Sequence, residues 1–277
     1  MSITLDNKQC LIAGNGILPV KMAQNAKNNG LEVVAISLSS DNFKELQKYC
    51  SKVYSYGCGQ LDSIKKVLIE ENIKQLTFIG KVSKTMILKR LKFEPTALEL
   101  IKKAPKLNDD MVMLLLIEEL EKLGITILDQ TIFIKDLIVQ EGVLTKLKPT
   151  KEQMIDIEYG YKIAREMGQL DIGQSVVMKD KMILAVEAIE GTDQCIKRGG
   201  KLSRKKGAVV VKVAKPKQDM RFDIPTVGMN TLRIMKRYGA NVLALQAGAT
   251  IIAEQANMID FANKHKMVLL AVWKNFL

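Results

Sequence analysis

Short apolar runs alternate with amphipathic stretches along the whole chain. In the first half, residues 9–13, 31–38 and 75–79 are apolar over strand lengths, with a weaker run at 53–56. Runs this short, bounded by turn residues, suit strands covered on both faces. Helical periodicity fills the gaps between them. One amphipathic stretch follows Pro19 and runs to Asn29, where Gly30 is placed to end it, and another spans 61–71. A lysine-rich helical region comes next. Asn108-Asp109-Asp110 then opens a helix to Leu123, with Asn108 as N-cap, Gly124 as its stop and 125–128 as a further strand. This alternation predicts a parallel sheet between layers of helices: a Rossmann-like α/β domain over residues 1–130.

Residues 129–148 have no helical period and end at Lys148, before Pro149, so 131–148 read as a crossover segment. The remaining 149–277 resume the alternation and predict a second, C-terminal α/β domain. A helix at 151–167 is expected to stop at Gly168. Strands at 175–178 and 182–189 flank Lys179-Asp180-Lys181, a hairpin-like turn. In Glu190-Gly191-Thr192-Asp193, Thr192 is placed to cap a short helix with Asp193 in its first turn. The lysine- and arginine-rich stretch 197–206 reads as a solvated basic loop. A β-branched run at 208–213, a helix at 229–238, strands at 241–245 and 250–253, a helix at 254–264 and a strand at 267–273 complete the chain.

Charge adds a constraint on partners. Lys and Arg number 42 against 30 Asp and Glu, a net charge of +12, which favours an anionic partner such as phosphorylated substrate, nucleic acid or anionic membrane. Aromatic residues are only 5% of the chain and interleave with no basic tract, so a single-strand nucleic-acid platform is disfavoured. Cys10, Cys50, Cys58 and Cys195 form no CxxC pair and have no histidine nearby, which argues against zinc and for a reducing, cytoplasmic setting. The first residues carry no signal-peptide pattern, and the longest apolar run, 111–117, falls far short of the ~20 residues of a membrane span. Any membrane contact is expected to be peripheral. The one histidine, His265, stands among lysines at a helix end and offers poor support for nucleophile–histidine chemistry.

Candidate chemistry gathers where strands stop. The stretch 211–230 carries Lys215, Asp219, Asp223 and Thr226 in a strand–loop–helix passage. A carboxylate beside lysines suits phosphate chemistry. Gly14-Asn15-Gly16 follows the first strand, where backbone N–H groups can approach a phosphate, although Pro19 occupies the third glycine position of the dinucleotide fingerprint. Asp41 stands where a ribose-binding acid could lie, or caps the next helix. Lys81 and Ser83 end another strand, as Gln246 and Gly248 do in the second half.

The segments DIGQSVV, AVEAIEGTD and AKPKQDMRFDIPTVG, with AGNGILP, GKVSK and NDD, occur in this order over nearly the whole chain. Together they resemble the LpxI-type UDP-2,3-diacylglucosamine pyrophosphatases. The resemblance implies two domains holding a lipid between them. It implies Mg²⁺-dependent attack of water on the α-phosphorus of UDP-2,3-diacylglucosamine, giving UMP and 2,3-diacylglucosamine 1-phosphate in lipid A synthesis. The family's essential aspartate falls at Asp223, and its EGTD segment supplies Glu190, Thr192 and Asp193. Stretches 39–75 and 197–206 match poorly, and nothing is carried over there.

On this reading Asp223 binds Mg²⁺ or orients water, Lys215 steadies phosphate charge, and Glu190 and Asp193 complete the metal shell. Gly14, Gly16, Lys81, Ser83, Gly191, Thr192, Thr226, Gln246 and Gly248 are the expected substrate-binding residues. The lipid substrate and the inner face of a membrane are the expected partners, nucleic acid is not, and a homodimer is left open. Two rivals stand beside it: an NAD(P)-dependent oxidoreductase resting on the glycine loop and Asp41, and a non-catalytic nucleotide or lipid sensor.

Overall fold

A computed structural model describes residues 4–82, 93–103 and 109–273. The chain forms two compact units, one made of Met1–Lys135 with Met220–Asp223, the other of Asp136–Asp219 with Ile224–Leu277.

The first unit is built on a five-stranded parallel sheet. Its strands are β1 (Lys8–Ala13), β2 (Glu32–Ser37), β3 (Lys52–Ser55), β4 (Gln75–Ile79) and β5 (Thr126–Ile127), in the order β3-β2-β1-β4-β5. The described helices are α1 (Leu18–Asn28), α2 (Phe43–Leu46), α3 (Leu61–Glu70), α4 (Pro95–Lys103) and α5 (Asp109–Glu121). Strand alternation sets the layers. Cys10, Ile12, Val34, Ile36, Leu76 and Phe78 pack with Ile64 and Leu68 of α3 and Ile117 and Leu120 of α5. The intervening Leu11, Val33 and Ala35 are also buried, and α1 lies on β1 and β2 with Met22 and Ala23 inside. Both faces are thus covered, which is why these strands read as continuous apolar runs. The strand order reverses between β1 and β4, so the loops leaving their carboxyl ends flank the switch point where such sheets take ligands.

At the opposite edge of this sheet, Glu71 follows α3. It accepts hydrogen bonds from Lys52 Nζ at 2.7 Å, Lys8 Nζ at 2.8 Å and the Tyr54 hydroxyl at 2.7 Å. The Lys52 bond first, then those from Lys8 and Tyr54, hold its carboxyl down at about 2.

The second unit carries a six-stranded sheet: β6 (Gly142–Val143), β7 (Ser175–Lys179), β8 (Met182–Val186), β9 (Ala208–Lys212), β11 (Ala240–Gln246) and β13 (Val268–Val272), ordered β6-β13-β11-β9-β7-β8. The three central strands β9, β11 and β13 are parallel, while β7 runs antiparallel between β9 and β8. A separate pair joins β10 (Thr226–Val227) to β12 (Ile251–Ile252). The helix α6 (Lys151–Gln169) covers one face, where Ile157, Tyr161 and Ala164 meet Val176, Val209, Val211 and Val242. The other face, with Val177, Val210 and Leu243, takes α7 (Thr192–Leu202), α8 (Met229–Tyr238) and α9 (Gln255–Lys264) through Ile196, Leu232, Met235 and Met258.

Several expectations are corrected. The basic stretch is not a loop as far as Leu202, because α7 runs through Gly199-Gly200. Those glycines are helical because the helix lies so close to its neighbours: a Cβ on Gly199 would stand 2.6 Å from Val177 Cβ, and one on Gly200 2.4 Å from the Tyr238 carbonyl oxygen. Tertiary packing here overrides poor helix propensity. Gly168 does not stop α6, which continues to Gln169. Thr192 is not the cap of α7; Gly191 holds that position, and the Thr192 hydroxyl is turned elsewhere. Asp41 does not cap a helix either, since Ser39 accepts the Asp41 N–H. Part of the 131–148 segment joins the second sheet as β6, antiparallel to β13. Asn108, expected as an N-cap, and Ser83 lie outside the described residues. The turn at 179–181 is a tight hairpin with Asp180 and Lys181 at positive φ, and the buried Asp156 of α6 accepts both their N–H groups, at 3.0 and 2.6 Å. His265 ends α9, its ring edge-on to Phe261; burial, then the nearby Lys236, push its pKa down. No described helix is long and apolar enough to cross a membrane.

Candidate active site

In the first unit the glycine loop is a packing device. Gly14 N–H donates to the Ile79 carbonyl at 2.8 Å, and Asn15 and Lys81 exchange backbone bonds at 2.8 and 2.9 Å. A Cβ on Gly14 would stand 2.8 Å from the Gly80 carbonyl carbon. Two of the amides expected to face a phosphate are therefore spent on the neighbouring loop. Gly16, at φ +101, keeps open space around it. Lys81 is exposed beside it.

Asp223 also belongs to this first unit, although it stands late in the chain. The segment is anchored by Phe222, which packs on the β1–β4 core, by the Met220 carbonyl accepting from Gln130 N–H at 2.9 Å, and by Arg221 donating to Glu121 at 3.4 Å. Lys215 belongs to the second unit, where its ammonium pairs with Asp171 at 2.8 Å. The two expected catalytic residues thus ride on different units.

In the second unit, β8, β9 and β11 end at one edge of the sheet, where β7 begins. Four polar groups meet there: Glu187 just past β8, Lys212 ending β9, Ser175 opening β7, and Thr192 opening α7. All but Thr192 are buried. Lys212 Nζ donates to Thr192 Oγ1 at 3.0 Å and to the Thr226 carbonyl at 3.3 Å. Thr192 Oγ1 donates in turn to Glu187 Oε1 at 2.9 Å, and Ser175 Oγ lies 3.3 Å from the same hydroxyl. Glu187 Oε2 is buried with no hydrogen-bond partner. Of the expected residues, Thr192 and Thr226 are brought together at Lys212. Gln246 ends the adjacent strand but is committed to the backbone, accepting from Ala214 N–H at 3.0 Å. Gly248 turns the chain at φ +70, its N–H bonded to the Val139 carbonyl, and Gly191 opens α7 at φ +80.

Sequence reading missed Lys212 and Glu187. Lys212 sits inside the run AVVVKV, and alternation with Ala208 and Val210 was the available signal that it shares their buried, α7-facing side. Glu187 follows MILAV directly, whereas Glu190, chosen instead, lies beyond the strand.

The expected metal shell can be tested on its donors. Glu190 is bonded by Arg198, whose guanidinium holds its carboxyl below the usual range. Asp193 accepts from Asn230 Nδ2 at 2.6 Å and from Thr231 Oγ1 at 3.4 Å. Among the described residues no group of three His, Cys, Asp or Glu is arranged to hold a metal ion. Asp223 belongs to the first unit, and Glu190 and Asp193 belong to the second.

Comparison with known proteins completes the picture. A family model described as the LpxI N-terminal domain matches residues 8–137, and one described as the LpxI C-terminal domain matches 140–270. A Caulobacter vibrioides protein named UDP-2,3-diacylglucosamine pyrophosphatase LpxI is 31% identical over 276 residues, covering 95% of this chain and 96% of its own. Among solved structures, a biotin carboxylase domain of a Hydrogenobacter thermophilus 2-oxoglutarate carboxylase overlaps 64% of this chain and 35% of its own, at 13% identity and a TM-score of 0.27. An ADP complex of N5-carboxyaminoimidazole ribonucleotide synthetase overlaps 71% and 45%, also at 13% identity and 0.27. Those two scores are too low to argue from.

Proposed function

The chain belongs to the LpxI family, and on that premise we propose that it hydrolyses UDP-2,3-diacylglucosamine to UMP and 2,3-diacylglucosamine 1-phosphate, in lipid A synthesis. The observation that carries this reading is the pair of domain matches end to end, joined by a relative of that named activity over nearly the full length of both chains.

In the proposed reaction, water oxygen bonds to the α-phosphorus and the bond to the bridging oxygen breaks. The sugar 1-phosphate leaves with the electron pair, and the water's proton is released. Phosphoryl transfer of this kind needs positioning and cations more than a protein nucleophile. Asp223 is assigned to orient the water and accept its proton. Lys215 is assigned to the phosphate charge, and Gly16, Lys81 and Thr226 to substrate contact. Mg²⁺ would be held by one or two of the carboxylates Asp223, Asp193 and Glu190 together with substrate phosphate oxygens, the mode this ion prefers, and would supply neutralisation of the phosphate charge. Asp223→Asn should abolish UMP release while keeping the fold and substrate binding; near-normal turnover would overturn the assignment.

The oxidoreductase rival loses its main support, because Gly14 and Asn15 N–H groups are used within the protein. A cytoplasmic location with peripheral contact to an anionic bilayer is proposed from the net charge of +12. Binding to anionic liposomes should weaken as salt rises, and salt-insensitive binding would count against this contact.

A further inference from the structure

A lysine that is only 7% exposed at the end of a valine strand needs a reason. An ammonium taken out of water is strongly disfavoured unless its surroundings compensate. Here the compensation is specific. Lys212 donates to the Thr192 hydroxyl, which donates onward to the Glu187 carboxylate. Each donor in such a chain polarises the next, so negative charge on Glu187 is felt at Lys212 through Thr192. Ser175, fully buried, flanks the same hydroxyl.

Glu187 fits poorly as a stability device. It is 8% exposed, and its second carboxylate oxygen has no hydrogen-bond partner. A half-satisfied buried carboxylate is worse for stability than an apolar side chain in its place. A buried carboxylate retained at that cost points to function, and the groups it holds are Thr192 and, through it, the Lys212 ammonium. The location agrees: the cluster lies at the carboxyl edge of β8 and β9, beside the amino end of α7, where partial positive charge favours an anion.

We infer that Lys212 is the residue of the second unit that receives a phosphate group of a pyrophosphate-linked ligand, and that Glu187, acting through Thr192, is its positioning residue. The identity of that ligand as the UDP-lipid rests on the proposed function. The geometry assigns Lys212 a role in addition to Lys215, whose ammonium is drawn toward Asp171.

The test uses the full-length protein and four variants: Lys212→Met, Lys212→Arg, Glu187→Gln and Thr192→Val. UMP release gives kcat and KM, and thermal melting with and without inorganic pyrophosphate gives binding. Lys212→Met should lower kcat by about 100-fold or more, the usual loss on removing one preorganised donor to a reacting group. Lys212→Arg should recover part of that loss. Glu187→Gln and Thr192→Val should each lower kcat by about tenfold with KM nearly unchanged, as supporting groups do. Pyrophosphate should raise the melting temperature of the wild type and not of Lys212→Met. Folded Lys212→Met with near-normal turnover overturns the inference. So does a Glu187→Gln variant that shifts the melting temperature and leaves kcat alone. If Lys212→Met does not fold, an unchanged kcat in Thr192→Val overturns it and a tenfold loss supports it. If the wild type releases no UMP, the proposed function fails instead; the pyrophosphate shift, present in the wild type and absent in Lys212→Met, then still supports the anion site, and an equal shift in both overturns it.

Discussion

Glu71→Gln should cost stability that depends on pH, in a direction the structure fixes. The Glu71 side chain is 7% exposed and holds three donors, with its carboxyl lowered from an ordinary value of 4.5 to about 2. Each pKa unit is worth about 1.4 kcal/mol, so the full shift would correspond to roughly 3 kcal/mol. Lys52 is 57% exposed, and water screens its share. A working figure is therefore about 2 kcal/mol for the ionised carboxylate at neutral pH. Because the folded pKa is the lower one, this stabilisation is present in full above the unfolded value of 4.5 and is lost as pH falls through about 2. Glutamine keeps the shape and cannot ionise. Urea unfolding followed by circular dichroism should show the variant about 2 kcal/mol less stable at pH 7, with the gap closing to a few tenths near pH 2. Trp273, the one tryptophan, lies in the second unit and reports that unit's transition separately by fluorescence. A gap between wild type and variant that stays constant from pH 7 to pH 2 would refute the reasoning.

Other outcomes follow from packing. Asp156→Ala should lower stability by about 2 kcal/mol, because two hairpin N–H groups lose their charged, buried acceptor; equilibrium unfolding checks this, and a neutral result means the hairpin does not need its anchor. Gly199→Ala should destabilise by about 1–3 kcal/mol despite alanine's better helix propensity, since its Cβ meets Val177; a higher melting temperature would show that α7 can back away from the sheet.

The layered α/β plan was legible because strands covered on both faces must be apolar throughout, and helices between them must carry a period near 3.6. What escaped depended on contacts distant in sequence. Gly199-Gly200 looks like a break until Val177 and Tyr238 are seen to require closeness there. Lys212 looks like an interruption of a strand until Thr192 and Thr226 are seen around its ammonium. AGNG reads as a ligand loop because glycine permits close approach, and sequence does not say whether the approaching group is a phosphate or, as here, the loop after β4. Family resemblance singled out Asp223, but no local pattern says that its neighbour Phe222 packs among residues far earlier in the chain, none later than Ile127.

That last placement has a consequence for taking the protein apart. A polypeptide severed after Lys135 leaves its first fragment with an empty socket where Phe222 belongs and without Asp223. The second fragment would carry an apolar ring and an acid that belong to its sibling. Recombining halves from two family members therefore requires residues 220–223 to travel against the order of the chain, and a chimera that ignores this should inherit a mismatched socket even when both parents are sound.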